Sequence, residues 1–191
     1  KNDEFNSLAQ NILDIAFDNN LESIESVLVS EIDGSSIEQL IIEMVGKIGE
    51  KIKISDFKVM DGEKIVPYIH AGSKLGVLVS LNNTGNTDYV TAGKDIAMQI
   101  AAMNPIALDK DQVDQSVIEK EIEIGKEQAI KEGKPEQIIE KIAQGKLQKF
   151  FKENTLLSQS FVKDNNLSIK DYLETFSKEL SIGGFIRVSI G

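Results

Sequence analysis

Residues 65–82 read I-V-P-Y-I-H-A-G-S-K-L-G-V-L-V-S-L-N, and they decide the fold class. Ile65, Val66, Tyr68 and Ile69 form one short β-rich run and Leu75–Leu81 a second. The residues between them, Ala71-Gly72-Ser73-Lys74, have the composition of a turn. Two such runs joined by a short glycine-containing loop predict an antiparallel hairpin. Pro67 has no N–H to give to a ladder, so its strand is expected at an edge or with irregular pairing. Upstream, Ile52, Ile54, Phe57 and Val59 alternate imperfectly with polar residues, and Asp61-Gly62 supplies a turn. The whole segment between Lys51 and Asn82 therefore predicts a three-strand antiparallel meander.

On either side the apolar period lengthens to that of helices. Phe5, Leu8, Ile12, Ile15 and Ala16 recur every three or four residues and predict an amphipathic helix from Asp3 to about Asn20. Asp33-Gly34-Ser35-Ser36 supplies a turn and an N-cap for a second helix carrying Ile37, Leu40, Ile41, Met44, Val45 and Ile48. Gly46 and Gly49 weaken its last turns and leave room for another backbone. After the loop at Asn82-Asn83-Thr84-Gly85-Asn86, Thr87 is expected to cap a helix bearing Val90, Ile96, Ile100 and Ala101, which Pro105 closes. From Gln112 to Lys152 the chain is charged and helical, broken at Glu132-Gly133-Lys134-Pro135. Gly after one helix and Pro at the start of the next predict a helical hairpin. Its arms present Ile118, Ile122 and Ala129, then Ile138, Ile142, Leu147 and Phe150, as an antiparallel pair projecting from the body. A last helix is expected from about Ser168 to Leu180, followed by a strand at Phe185–Ile190 that returns to a sheet that earlier segments such as Leu156–Phe161 help build. Helices and strands do not alternate, so the fold class is α+β with small antiparallel sheets packed against helices.

Composition removes several chemistries. The 191 residues suit one large domain or two small subdomains, and the net charge of -10 argues against nucleic acid as the main partner. There is no cysteine and a single histidine, which excludes disulfides, zinc–thiolate sites and histidine-rich metal centres. No apolar run approaches the ~20 residues of a membrane span, and the N-terminus lacks the apolar stretch of a signal peptide. A chain that begins at lysine is expected to be an excised fragment, from a reducing, cytoplasmic compartment. The acids Glu119/Glu121/Glu123 and Asp109/Asp111/Asp114 sit among lysines in helical stretches and read as surface charge, with the aspartates suited to a helix N-terminus. Two inward-facing acids with raised proton affinity, as a carboxylate hydrolase requires, are not indicated. Neither glycine-rich phosphate loop occurs. Ser73 or Ser80 beside His70 lies in no nucleophile elbow.

Several pieces in order resemble bacterial elongation factor Ts. His70-Ala71-Gly72 in its hairpin and A-M-Q-I-A-A-M-N-P at Ala97–Pro105 are the most distinctive. Lys1–Phe5 is similar to the tail of the family's T-D-F-V-A-K-N segment, and Val45–Ile52 resembles its K-I-G-E-N-I element. Gly133-Lys134-Pro135, Gly145-Lys146-Leu147 and Lys149-Phe150 match its coiled-coil insertion. Phe161–Asp164 and Gly184–Arg187 match its C-terminal subdomain.

The resemblance implies two subdomains, 1–90 and 91–191, the second including a protruding antiparallel coiled-coil hairpin at about 112–152. It implies the core of a guanine-nucleotide exchange factor for translation elongation. Such a factor binds elongation factor Tu and promotes GDP release, with no catalytic residue, cofactor or metal of its own. Carried over by motif, Ile48 and Gly49 press beside the phosphate-loop support of the partner, and His70, Ala71 and Gly72 form part of the neighbouring contact surface. Nucleic acid and membrane are not expected as partners, whereas a homodimer is an open possibility. The family's N-terminal helical domain and T-D-F-V portion are missing, which implies weak binding and poor exchange by this stretch alone. The competing reading is an oligomerisation or scaffold module without exchange activity.

Overall fold

The computed structural model describes residues 2–72 and 74–190. The chain forms two compact units, Lys1–Val59 and Met60–Gly191.

In the first unit, helix α1 (Asp3–Asp18) starts at Asn2, whose side-chain oxygen accepts the amides of Glu4 and Phe5. Asp3 and Glu4 in its first turn complement the positive end of the helix dipole. Helix α2 (Ile24–Val29) is held by a reciprocal Ser23/Ser26 capping box. Strands β1 (Glu31–Ile32) and β2 (Ser35–Ser36) pair across Asp33-Gly34, both at positive φ. That is the two-residue turn whose twist matches an antiparallel ribbon. Ser36 then caps α3 (Ile37–Ile48) by accepting the Gln39 amide. Ala16, Val27, Ile37 and Ile41 form the buried core, with Ile12, Ile15, Ile52, Ile54 and Phe57 packed against it.

This packing corrects the predicted meander. Residues 51–59 form no strand. Their apolar residues alternate because Ile52, Ile54 and Phe57 cover the core of the first unit from one side. One-sided burial of an irregular segment produces the same period as a strand on one face of a sheet. Nothing lies within 4 Å of a Cβ built on Gly46, so that glycine admits no neighbouring backbone.

The second unit is built on a sheet of β3 (Lys64–Ile69), β4 (Leu75–Asn82) and a strand far along the chain, β7 (Ser181–Ser189). Their order is β3-β4-β7 and both pairings are antiparallel. The hairpin forms as expected and Pro67 lies on an edge strand. The third strand is the late C-terminal one rather than 52–59; it pairs with β4, and Leu156–Phe161 takes no part in that sheet. Val77, Val79 and Leu81 alternate inward on β4 and are buried. Helix α4 (Tyr89–Met103) lies over them with Ala92, Ile96, Ala97 and Ile100 in the same core. Its N-cap is Asp88, which accepts the Thr91 amide, while Thr87 bonds back to the Thr84 carbonyl. Full burial of a side chain such as Ile96 contributes about 1.5–3 kcal/mol.

Helices α5 (Gln115–Lys131) and α6 (Glu136–Asn154) follow, joined through Gly133 at φ 67. They pack where Gly125 faces Ala143, with Ala129 and Leu147 also buried. Lys126 pairs with Glu140, matching late α5 to early α6 as an antiparallel pair requires. The small residues at the centre of this contact, Gly125 and Ala143, are invisible to a pattern that counts only large apolar side chains. Ile138 is exposed, contrary to its expected place on the packed face. Strands β5 (Ser160–Phe161) and β6 (Asp164–Ser168) form a small ribbon, and helix α7 (Ile169–Glu174) ends well short of the expected Leu180. The class is α+β, with antiparallel sheets and helices segregated along the chain.

Two polar arrangements tie the second unit together. Gln99 and Gln159 are almost fully buried and fully engaged. Gln99 Nε2 donates to Gln159 Oε1 and the Ser160 carbonyl, its Oε1 accepts the Val162 amide, and Gln159 Nε2 donates to the Glu153 carbonyl. Ahead of β3, Glu63 accepts the Thr84 hydroxyl at 2.7 Å and the amides of Asn83 and Thr84, fixing the loop between β4 and α4. These bonds, the Thr84 hydroxyl first, hold the Glu63 carboxyl below its ordinary value of 4.5.

Two outcomes follow from these contacts. A Cβ on Gly93 would sit 2.5 Å from Val66 Cγ2. Gly93→Ala therefore lowers stability by about 1–3 kcal/mol despite the better helix propensity of alanine. The double variant with Val66→Ala is more stable than the sum of the single losses, as denaturant titrations will show. The depressed Glu63 carboxyl contributes stability above its unfolded value, and that contribution is lost as pH falls through the folded value. The stability gap between wild type and Glu63→Gln is thus widest at neutral pH and closes in acid.

Candidate partner-binding site

Ile48 is the last residue of α3 and is half-buried. The helix stops there because Gly49 takes the left-handed conformation, φ 76, and its N–H bonds the Val45 carbonyl at 2.8 Å. Nothing crowds Gly49, so its need for glycine is one of backbone dihedral rather than of space. The result is an exposed cap that presents the end of α3. Beside it, Lys47 Nζ meets Glu4 Oε2 at 3.3 Å, linking the end of α3 to the start of α1.

His70, Ala71 and Gly72 form the exposed end of the β3–β4 hairpin in the second unit. The His70 amide donates to the Leu75 carbonyl at 2.9 Å, and Gly72 has φ 92. Tyr68 Oη lies 3.0 Å from His70 Nδ1, so the ring is oriented by a neighbour two residues back on the same face. Ser73 lies outside the described residues, and Ser80 is buried within the sheet. Of the residues singled out in the sequence, those of the hairpin end are brought together and Ile48-Gly49 form a separate cap.

Among the described residues no group of three or more His, Cys, Asp or Glu side chains could hold a metal ion. The perturbed carboxyls of Glu63, Asp88, Asp114, Glu140 and Asp171 all lie below their ordinary values. The first cause in each is a side-chain hydrogen bond, from Thr84, Thr91, Ser116, Lys126 and Ser168 respectively. A general acid needs the opposite shift. Tyr172 is raised by burial and then by its bond to Asp95, which Lys163 also contacts at 2.6 Å. That cluster joins α4, the β5–β6 ribbon and α7, and sequence pattern did not reveal it. No described helix is long and apolar enough to cross a membrane.

A family model described as Elongation factor TS matches residues 1–191. A curated elongation factor Ts of Amoebophilus asiaticus is 52% identical over 191 residues, covering 100% of this chain and 69% of the relative. That of Cytophaga hutchinsonii is 50% identical, covering 98% of this chain and 68% of the relative. The relative from Christiangramia forsetii is 45% identical, again covering 100% of this chain and 69% of its own length. These matches place the α+β chain among the elongation factors of protein biosynthesis. It belongs to the elongation factor Ts family.

Substitutions at the two exposed features separate in their effect on stability. Gly49→Ala forces a side chain into the left-handed region and destabilises by about 1 kcal/mol, read in a thermal melt. His70→Ala, at an exposed turn, changes stability by no more than about 0.5 kcal/mol.

Proposed function

We propose that this chain is the core of a guanine-nucleotide exchange factor that binds elongation factor Tu and promotes GDP release during translation elongation in the cytoplasm. Membership of the elongation factor Ts family over the whole chain is the observation that carries this reading. Ile48, Gly49, His70, Ala71 and Gly72 are the residues assigned to partner contact. All five lie at an exposed helix cap or hairpin end, held in place by backbone geometry.

No covalent step is required of such a factor. A protein that favours the nucleotide-free GTPase must weaken GDP by the same factor, because the coupling free energy between two ligands is reciprocal. Rigid, pre-shaped contact residues suit this task, since little ordering is needed on binding. The α5–α6 pair acts as the family's coiled-coil hairpin in this reading. A scaffold or homodimer role would instead show as self-association without affinity for the GTPase.

Calorimetry with elongation factor Tu tests the proposal. The chain binds the nucleotide-free form at least about tenfold more tightly than the GDP form, within the usual span of coupling. His70→Ala and Ile48→Ala each weaken that binding about tenfold, the scale of an interface hot spot. Equal affinity for both forms, or no binding with concentration-dependent mass, overturns it.

A further inference from the structure

His70 follows directly on β3, and the hydroxyl of Tyr68 lies 3.0 Å from its Nδ1. The two rings stand 6.0 Å apart between centroids and 52° from parallel, a tilted pair rather than a stack. Residues two apart on a strand share a face, so the strand itself sets this contact. Tyr68 is half-buried and packs against the main core of the second unit, whereas His70 is exposed. The tyrosine is thus anchored by its ring and reaches outward by its hydroxyl. That hydroxyl bonds at the exposed rim, where water would satisfy it nearly as well. Phenylalanine would fill the same core position without the bond. What the hydroxyl adds, and packing does not, is control of the imidazole.

A neutral imidazole has one nitrogen that donates and one that accepts, and the bond made by one fixes the role of the other. A phenolic hydroxyl donating to Nδ1 leaves the ring hydrogen on Nε2. The same bond selects one ring orientation. A histidine on a turn otherwise samples several rotamers, and ordering it on binding costs free energy. The backbone is fixed as well, by the His70 amide on the Leu75 carbonyl at 2.9 Å and by the turn at Gly72, φ 92. Ring and turn are both set before a partner arrives.

We infer that Tyr68 is a positioning residue for partner recognition. Its hydroxyl holds His70 in the Nε2–H form and in one rotamer, so the hairpin end offers a single aimed donor to an oxygen acceptor on the GTPase. Tyr68 acts through His70 and not by a contact of its own. This inference rests on the proposed function above and names the side chain that prepares its contact surface.

Tyr68→Phe tests it, beside His70→Ala and the double variant. Affinity is read by calorimetry against nucleotide-free elongation factor Tu, and the tautomer by nitrogen NMR of the free protein with the ring neutral. His70 is the chain's only histidine, so its ring signals identify themselves. Tyr68→Phe is expected to bind about fivefold more weakly, the scale of one lost hydrogen bond, with a melting temperature level with wild type. In the His70→Ala background the same change alters affinity by less than about twofold, because the two residues act as one unit. The wild-type ring shifts report the Nε2–H form, and Tyr68→Phe moves them toward a mixture of the two forms. Ring shifts unchanged by Tyr68→Phe overturn the inference, since the hydroxyl then does not set the tautomer. Affinity within about twofold of wild type while His70→Ala binds weakly also overturns it, as does an equal loss in the His70→Ala background. If His70→Ala binds as wild type does, His70 makes no contact and the inference falls with that one assignment. If wild type itself does not bind, the proposed function falls and takes this inference with it, whatever the ring shifts show.

Discussion

The second unit depends on one pairing, the antiparallel ladder between β4 and β7, strands separated by most of the unit's sequence. β4 is thereby hydrogen-bonded on both sides, which lets Val77, Val79 and Leu81 face a dry core under α4. A two-stranded hairpin alone is marginal in water; a third strand and a covering helix make it stable. Forming that ladder means closing a long loop, whose entropy must be offset by contacts made elsewhere. The contact of α4 with β3 is so close that Gly93 has no room for a side chain over Val66.

Polar groups complete what apolar packing begins. Gln99 and Gln159 sit in the interior with every amide atom engaged, and they join α4 to the stretch that follows α6. Half-satisfied, such a network would be worse than leucine; satisfied, it permits one arrangement of its elements. Asp95 plays a similar part at the rim by receiving both Tyr172 and Lys163. The Tyr172 ring stacks on Phe161 at 4.2 Å, so the hydroxyl is held by aromatic packing as well as by its bond. These contacts fix α4, the β5–β6 ribbon and α7 against one another.

An exchange factor needs little more than this. Its effect lies in which form of the GTPase it prefers, and a rigid surface expresses that preference with little loss of entropy on binding. The residues proposed for partner contact lie at exposed ends of elements, the cap at Gly49 and the turn at His70. The apolar groove beside α1, lined by Phe5, Ile12, Ile41, Ile54 and Phe57, belongs to the small core of the first unit.

The sequence by itself determined the local elements: the β3–β4 hairpin, α1, α3, α4, the helix pair and the turns at Asp33-Gly34 and Gly133. Their signals are periodicity, caps and glycine at positive φ, all set by neighbours within a few residues. The turn at His70 was legible for the same reason, and the family was legible through short motifs in order, whereas Gly49 was read as a weak point of α3 and not as its left-handed cap. Only the tertiary structure decided that Ile52, Ile54 and Phe57 cover a core without pairing, because one-sided burial and a strand share the same alternation. It alone chose β7 as the third strand, buried Gln99 and set Gly125 against Ala143. Each of these depends on a partner distant in sequence, and a pattern read along the chain carries no record of which distant residues meet.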